Sequence, residues 1–387
     1  MNVLFISPEY PSIRSGGIGT FFRTLGRCLT RYGHQVKVLI PAPGEDFLDG
    51  EIRVTFLQVP RVRKFGWLLL RLVLQREIRQ LEKSWGVDVI EAADWCGLTA
   101  GVSCHPPVLI RCHGSETYFA SLLGRRASVK TYWEERVALR RATSVSAVSR
   151  FTAERTRELL GLGATPRVIY NGVDTAYFSP NASGPAKDRT VLYLGTLVRK
   201  KGAADLGDIF SKIHARVPDV QFRIVGRDCR DPETGSESML RLILEQMTPE
   251  SRARLVYVGE LAGEAVREEL RRARVCLFPS YAEAFPISWL EAMSCGVPLV
   301  TYDSGWAREI FQGEDEGMIV ARGNRESMAE AASRLVLDSS LSRKIGEGAR
   351  RRIERQFTLE RCMKETLDWY IDAMRQPRAD ANELTER

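Results

Sequence analysis

The stretch Val275–Tyr302 reads VCLFPSYAEAFPISWLEAMSCGVPLVTY and predicts the fold class of the chain. It combines an apolar strand, a short polar loop, a helix that begins at Pro286 and ends near Gly296, and a second apolar strand. Proline suits the first position of a helix because its missing N–H needs no partner there, and glycine suits the exit. A strand, a helix and a strand in this order indicate one unit of a parallel α/β sheet.

Two glutamates, Glu283 and Glu291, stand eight positions apart in this stretch. Glu283 falls in the loop at the carboxyl end of the first strand, and Glu291 falls about a turn and a half into the helix. Ligands of open α/β sheets bind at that edge. Because carboxylates accept hydrogen bonds from hydroxyl groups, the pair predicts a site for a sugar and a ribose.

Ten short apolar runs predict the strands of buried parallel sheets. The front half of the chain contains Val3–Ser7, Val36–Ile40, Val87–Glu91, Val108–Arg111 and Thr143–Val148. The second half contains Thr190–Gly195, Gln221–Gly226, Leu255–Gly259, Val275–Pro279 and Pro298–Tyr302. Helical stretches separate them, among them Thr20–Tyr32, Leu68–Trp85 and Val129–Arg141. The two arrays predict an α/β protein with two Rossmann-like domains, whose parallel sheets face each other across a cleft.

The composition excludes several classes of protein. No apolar run reaches the roughly 18 residues of a membrane span. Eight cysteines without a CxxC pair, and an amino terminus without a basic signal-peptide region, predict a reducing, cytoplasmic location. The formal net charge is +7, and the excess lies in residues 1–180, which hold 24 Lys+Arg against 16 Asp+Glu. This bias favours an acidic partner and a solvated basic face about equally.

The first glycine-rich loop, Arg14–Gly19, reads RSGGIG and precedes a predicted helix. Consecutive glycines let backbone N–H groups approach an anion, and the start of a helix attracts negative charge. The loop is not a dinucleotide fingerprint, because Phe22 stands where the third glycine is needed. A plain tight turn is as compatible with the pattern as an anion site.

A second loop, Gly195–Gly202, reads GTLVRKKG and follows a predicted strand. Three consecutive cations at the carboxyl end of a strand suit a diphosphate. A charged surface run is the usual alternative, and the position of the loop at a strand end makes that alternative weaker. His113 ends another predicted strand and is a candidate active-site residue, although a core histidine is the alternative.

No metal and no cofactor are expected. The chain contains no Asp-x-Asp triplet that could clamp a metal-bound diphosphate, and its Cys-His pairs, at Cys104 and Cys112, fit no zinc spacing. A bound diphosphate would then be neutralised by protein cations and helix ends.

These motifs together resemble the retaining GT-B glycosyltransferases of family four, the glycosyl transferases group 1. The resemblance covers nearly the whole chain and rests on EAFPISWLEAMSCGVPLV, GTLVRKKG, YNGVD and the glycine loop. It implies an acceptor-side domain at residues 1–170 and a nucleotide-sugar-binding domain at residues 171–375. A final helix at about residues 356–375 would return to the first domain, and residues 376–387 would form a polar tail.

The resemblance also implies residue roles. Glu291 would hold the donor ribose, Glu283 the transferred sugar, and Lys201 the diphosphate and its leaving phosphate. His113 would contact the sugar at the reacting centre. The expected catalytic residues are Lys201, Glu283 and His113, and the expected donor-binding residues are Gly16, Gly17, Arg14, Thr196, Arg199, Phe285, Pro286, Ile287 and Glu291.

One position departs from the family pattern. The family often has arginine directly after the glycine of the basic loop, where this chain has Thr196. Arg199, Lys200 or Arg14 would then supply the charge.

The implied reaction is transfer of a hexosyl-type group from a UDP- or GDP-sugar to a hydroxyl acceptor, with retained configuration and without a metal. The acceptor would be a glycan, a lipid-linked compound or a small molecule, and it would carry phosphate in some cases. The alternatives are a nucleotide-sugar epimerase of the same fold and a sugar-binding protein that has lost transfer. No nucleic acid is expected, because the basic residues accompany no known binding module.

The segment Arg61–Leu74 joins cations, aromatic residues and a dense apolar run. It predicts either a core helix, which is favoured, or an interfacial helix on anionic lipid. The second reading extends the cytoplasmic location to peripheral contact with the inner face of a membrane, through the basic N-terminal domain.

Overall fold

The computed structural model describes residues 1–11, 16–58, 66–181 and 189–376. The chain divides into two compact units. The N-terminal unit contains Met1–Asn171 and the chain from Cys362 onward, and the C-terminal unit contains Gly172–Arg361.

The N-terminal unit has an eight-stranded sheet in the order β3-β4-β2-β1-β5-β6-β7-β8. Only the pairing of β3 with β4 is antiparallel. The strands are β1 (Asn2–Ile6), β2 (Gln35–Ile40), β3 (Phe47–Asp49), β4 (Ile52–Phe56), β5 (Val89–Ala93), β6 (Val108–Cys112), β7 (Ser144–Ala147) and β8 (Arg167–Val168). The helices are α1 (Gly17–Arg31), α2 (Gly66–Trp85), α3 (Glu116–Leu122), α4 (Val129–Arg141) and α5 (Arg150–Leu160).

Serine caps explain where three of these helices begin. The side chains of Ser115, Ser128 and Ser149 accept hydrogen bonds from the backbone N–H groups three residues further on, at the starts of α3, α4 and α5. Each cap satisfies one N–H group that the helix itself leaves unpaired.

The C-terminal unit has a six-stranded sheet that is parallel throughout, in the order β11-β10-β9-β12-β13-β14. Its strands are β9 (Thr190–Leu194), β10 (Gln221–Val225), β11 (Leu255–Gly259), β12 (Val275–Phe278), β13 (Leu299–Tyr302) and β14 (Met318–Val320). Its helices are α6 (Leu206–Arg216), α7 (Met239–Gln246), α8 (Pro249–Arg252), α9 (Glu264–Arg272), α10 (Ile287–Ser294), α11 (Gly305–Ile310), α12 (Arg325–Leu337) and α13 (Ser339–Gln356).

The predicted class, an α/β protein with two parallel sheets, is confirmed. Each of the ten predicted strands overlaps an observed strand, and four short strands, β3, β4, β8 and β14, were not predicted. One boundary was wrong: Pro286 does not begin the helix but caps it in an extended conformation, and α10 begins at Ile287.

The last helix, α14 (Leu359–Arg375), is anchored on the N-terminal sheet by buried polar groups. The Arg111 guanidinium on β6 donates to Glu91 Oε1 on β5 at 2.6 Å, and to Thr366 Oγ1 on α14 at 2.9 Å. Tyr370 on α14 donates its hydroxyl hydrogen to the other oxygen of Glu91. Because these side chains are fully buried, each polar contact matters for stability.

Helix α2 is a core helix only in part, because Leu74 and Ile78 join a buried apolar cluster while other large side chains face solvent. Only Leu74 and Ile78 are buried, whereas Trp67, Leu68 and Leu72 are exposed. The preceding residues 61–65 lie outside the described part of the chain. None of the helices that the structure describes is long and apolar enough to cross a bilayer.

Candidate functional site

The basic loop of the C-terminal unit follows β9, and the loop that carries Glu283 follows the neighbouring strand β12. Lys201 Nζ donates to Glu283 Oε1 at 2.6 Å, so the predicted cation and carboxylate are in direct contact. The Glu283 side chain is 10% exposed and that of Lys201 is 24% exposed. Such burial leaves the ion pair only partly screened by solvent.

Backbone contacts hold the two loops together. The N–H groups of Tyr281 and Ala282 both donate to the carbonyl oxygen of Lys200, at 2.8 and 3.0 Å. Gly202 has φ of +72°, and a Cβ there would overlap the carbonyl group of Pro279. Glycine is therefore required at this position both for backbone conformation and for close approach.

Glu291 lies in α10, the helix that follows the Glu283 loop. Its side chain has no hydrogen-bond or ion-pair partner in the described ranges 1–11, 16–58, 66–181 and 189–376. Burial raises the pKa of Glu291 to about 8. A half-buried carboxyl without a protein partner is suited to accept hydrogen bonds from a ligand.

The start of α10 brings the remaining predicted donor-binding residues of this loop together. Phe285 is buried against Phe357, with ring centroids 5.3 Å apart. Pro286 is also buried, and it has no side chain that could cap the N–H groups of the first turn. Ile287 is half-buried as the first helical residue. The structure thus places all three at a helix start that could receive an anion.

Arg199 is already engaged by acidic residues. Its guanidinium binds both carboxylate oxygens of the fully buried Asp231, at 2.6 and 2.7 Å, and contacts Glu233 at 3.1 Å. The hydrogen bonds from Arg199 hold the pKa of Asp231 well below its ordinary value. Thr196, by contrast, contributes its backbone carbonyl oxygen, which accepts from the hydroxyl of Tyr193 at 3.1 Å.

The glycine loop of the N-terminal unit contains a protein carboxylate. Gly16 precedes α1 and Gly17 begins it. The Glu9 carboxylate accepts a hydrogen bond from Gly19 N–H at 3.0 Å, and a Cβ on Gly16 would overlap that carboxylate. The helix start is therefore an anion site that Glu9 itself occupies. Arg14 lies outside the described residues.

His113 is buried at the end of β6. The rings of Phe21 and Phe22 pack against its imidazole, with centroids 4.6 and 5.9 Å away. Burial, and after it the charge of Arg111, holds the pKa of His113 well below its ordinary value, so the imidazole is neutral near pH 7. Its Nε2 is buried and has no hydrogen-bond partner among the residues that the structure describes.

Sequence reasoning missed Asp94, whose carboxylate Oδ1 accepts from His113 N–H at 3.0 Å. Asp94 is buried, and its Oδ2 has no partner within the described ranges. Burial, followed by the charge of Glu135, raises the pKa of Asp94 to about 8. The sequence did contain a signal for Asp94, because this residue directly follows the apolar run of β5. Parallel sheets bind ligands at the carboxyl ends of their strands.

Glu135 was missed as well. Its carboxylate accepts from the N–H groups of Glu116 and Thr117, at 2.9 and 3.1 Å, and from that of Cys96 at 3.3 Å. It therefore links α4 to the chain that follows Asp94 and to the start of α3. No pattern in the sequence marks this glutamate, since it stands between two other charged residues, Glu134 and Arg136, although only Glu135 is fully buried.

No cluster of three or more potential metal ligands occurs among the described residues. Cys104 lies half-buried in a loop of the N-terminal unit, where its thiol donates to the carbonyl oxygen of Pro106 at 3.5 Å, and Cys112 is buried on β6.

Two family models match the chain over adjoining ranges. Residues 15–177 match Glycosyltransferase Family 4, and residues 178–352 match Glycosyl transferases group 1. The chain belongs to this glycosyltransferase family. Every predicted site residue of the glycosyltransferase except Arg14 lies within the matched ranges.

Known proteins resemble this glycosyltransferase along nearly its whole length. The glycogen synthase of Mycobacterium tuberculosis is 25% identical over 410 residues, which cover 97% of this chain and 95% of the relative. The structure of sucrose-phosphate synthase from Thermosynechococcus elongatus aligns with a TM-score of 0.79 at 22% identity, covering 96% and 98%. Anabaena Alr3699/HepE in complex with UDP and glucose aligns with a TM-score of 0.76 at 19% identity, covering 96% and 100%. These likenesses confirm the GT-B fold.

Proposed function

We propose that this glycosyltransferase moves a hexosyl group from a UDP- or GDP-sugar to a hydroxyl acceptor, with retained configuration and without a metal ion. The observation that carries the proposal is the Lys201–Glu283 pair, followed in the chain by Glu291 on α10. The UDP and glucose in the Anabaena structure support a nucleotide-sugar donor for a chain of this fold.

Lys201 would stabilise the leaving group. When the bond between the anomeric carbon and the β-phosphate oxygen breaks, negative charge develops on the diphosphate. The ammonium group of Lys201 has three hydrogens, and Glu283 uses one of them. The others can bind the phosphate oxygens in a site that Glu283 keeps aligned, and preorganised charge of this kind lowers the barrier.

The two glutamates would bind hydroxyl groups rather than act as an acid–base pair. Glu283 would hold the transferred sugar, and Glu291 would hold the ribose. The backbone of Phe285–Ile287, at the start of α10, would face the donor. The acceptor hydroxyl would attack from the face that the diphosphate leaves, with the diphosphate taking its proton, and positioning would supply much of the rate.

The N-terminal unit would contribute a neutral imidazole and the backbone of its glycine loop. His113 would contact the sugar through its neutral imidazole, whose Nε2 has no partner in the described residues. Gly16 and Gly17 would donate backbone N–H groups to phosphate after displacement of Glu9. The Arg199 side chain is not required to bind the diphosphate, because Asp231 already holds its guanidinium. Thr196 would contribute through its backbone.

The acceptor would be a glycan, a lipid-linked compound or a small molecule. The excess positive charge of residues 1–180 favours an acceptor that carries phosphate. None of the eight cysteines, all of which lie in the described ranges, is in a disulfide, which supports a reducing compartment such as the cytoplasm.

The test combines donor binding with product analysis. The melting temperature is measured with a panel of UDP- and GDP-sugars. We expect sugars of one nucleotide, either UDP or GDP, to raise it, because a ligand that binds the native state stabilises that state. With that donor and an acceptor library in EDTA, NMR of the product should show the anomeric configuration of the donor. An inverted product, or activity lost in EDTA and restored by a divalent cation, would contradict the proposal, and turnover of the donor without acceptor would favour an epimerase.

A further inference from the structure

Two helices of the N-terminal unit present large apolar side chains to solvent. In the described residues, twelve large hydrophobic side chains are exposed, and half of them lie on α2 and α4. Single exposed apolar residues are ordinary, but a group of them marks an interaction surface. We define the α2–α4 patch as the six residues Trp67, Leu68, Leu72, Val129, Trp133 and Val137.

Specific contacts fix the two helices against each other. Lys130 Nζ on α4 lies 5.2 Å from the ring centroid of Trp67 on α2. Arg71 on α2 lies 3.5 Å from Glu134 on α4, and its guanidinium also donates to the carbonyl oxygens of Gly97 and Ala100. The apolar residues of both helices flank this contact, so they form one surface rather than two separate ones.

Spacing confirms that the exposure is systematic on α4. Val129, Trp133 and Val137 follow one another at intervals of four, which places them on one face of the helix. Trp133 is 55% exposed and Val129 is 75% exposed, so this face is open to solvent, and the ring of Trp133 contacts Tyr132 and Arg136 of its own helix.

Cations border the patch. Arg125 and Arg126 are exposed immediately before α4, and Arg76 and Arg79 are exposed on α2 beyond Leu72. None of these four side chains has an ion-pair partner in the described ranges. Tryptophan and aliphatic residues bordered by unpaired cations match the chemistry of an anionic bilayer, where rings enter the headgroup layer and cations meet lipid phosphates.

We propose that the α2–α4 patch docks this protein peripherally on an anionic lipid bilayer. The docking does not depend on the donor chemistry proposed above. It does suit a lipid-linked acceptor, because the opposite face of α4 carries Glu135, which binds the backbone next to Asp94. The Asp94–His113 edge would then lie about one helix diameter, roughly 10 Å, from the lipid surface.

The experiment is sedimentation of the full chain with two kinds of vesicle, phosphatidylcholine alone and a mixture of phosphatidylcholine with phosphatidylglycerol, at low and high salt. We expect binding only to the anionic vesicles, and weaker binding at high salt. The double variant L72E/W133E should bind at least about tenfold more weakly, because it places two charges at the apolar interface. The double variant R125S/R126S should lose affinity for the anionic vesicles by roughly fivefold for each cation removed.

The matched control is L337E, which places a glutamate at an equally exposed apolar residue of the C-terminal unit and should bind like the native protein. Melting temperatures of all variants report folding, and the single variant W133S replaces the double variant if that one unfolds. Absence of binding to anionic vesicles at low salt would overturn the proposal, as would native-like binding of the folded patch variants. A dimer that W133S converts to a monomer without changing vesicle binding would show that the patch binds a second copy instead.

Discussion

Lys201 and Glu283 form an ion pair of 2.6 Å that joins the loops after β9 and β12. These strands are neighbours in the sheet although more than eighty residues separate the two side chains in the chain. The pair brings a cation and a carboxylate to one edge of the C-terminal sheet, where Gly202 allows the backbones to approach closely. This arrangement leads to the first two predictions.

Replacement of Lys201 by alanine should lower the transfer rate about 10²- to 10³-fold, as expected for the loss of a preorganised group that stabilises developing negative charge. Steady-state kinetics with the donor found in the thermal-shift panel measure this. The control is Lys212→Ala, which breaks a 2.7 Å pair with Asp208 on the surface of α6. A K201A rate equal to that of the control would remove Lys201 from the mechanism.

The two members of the pair should also be coupled in stability. In K201A, the poorly solvated carboxylate of Glu283 loses the cation 2.6 Å away. In E283A, the ammonium group of Lys201 loses that carboxylate. A double-mutant cycle by urea unfolding should give a coupling energy within about 0.5–3 kcal/mol. Strictly additive losses would mean that the contact contributes nothing to folding.

Glu291→Gln should change stability and donor affinity in opposite directions. The pKa of Glu291 is about 8 in the folded protein, above its ordinary value of 4.5. Between these values the folded state keeps a proton that the unfolded chain releases, so stability falls as pH rises through this window. Glutamine has no such proton to lose, and we expect the variant to melt roughly 2 °C or more above the native protein near pH 8.

Donor affinity of the same variant should fall about tenfold, because an amide cannot release a proton to become the carboxylate that would accept hydrogen bonds from the ribose hydroxyls. Melting curves from pH 5 to 8, read with and without donor, measure both effects. Glu245→Gln on α7 is the control, since Glu245 is exposed and pairs only with Arg241 one turn away. The role of Glu291 fails if the variant binds donor as well as that control does.

Asp94 should act as a positioning residue for His113. Asp94→Ala removes the acceptor of the His113 N–H, and we expect a loss of transfer of at least about tenfold from misplacement of the imidazole. Asp94→Asn keeps an oxygen in that place and should restore most of the rate. Equal losses in both folded variants would indicate that the carboxyl group itself is needed, and no loss in either would exclude the positioning role.

Tyr370→Phe should destabilise the N-terminal unit by about 1.5–3 kcal/mol, because it removes a hydrogen bond to the buried carboxylate of Glu91. The free energy of unfolding in urea measures the change. Tyr32→Phe, at a tyrosine that is 59% exposed, is the control and should leave that free energy unchanged. A Tyr370→Phe protein as stable as the control would show that the buried contact has no net value.

The sequence predicted both sheets because their central strands are apolar on both faces, a pattern that only buried parallel strands show. It missed β3 and β4, which form the antiparallel edge around Gly50. The alternation of Ile52, Val54 and Phe56 with polar residues, preceded by Asp49-Gly50, was a usable hairpin signal.

The sequence predicted those site residues that lie in motifs at strand ends. It did not predict the residues that reach the site from elements distant in the chain. Lys201 and Glu283 each follow a strand, and adjacent strands bring their ends together. Tertiary packing brings in the other residues. Asp231 reaches Arg199, and Glu135 reaches the chain after Asp94, from parts of the chain that no motif marks. The same limit applies to α2, whose apolar run suggested a core position although its packing leaves three large side chains in solvent.

The polar anchor of α14 has a consequence for synthesis of the chain. Glu91 and Arg111 lie on central strands, yet Thr366 and Tyr370, which complete their hydrogen bonds, follow the whole C-terminal unit in the chain. Trp369 likewise donates to Ser144 on β7 at 2.8 Å. A nascent N-terminal unit therefore carries partly satisfied charges in its interior until the C-terminal unit and α14 have been synthesised. It begins to emerge before the C-terminal unit but is completed after it, and a chain truncated before Thr366 should be a preferred substrate for proteolysis.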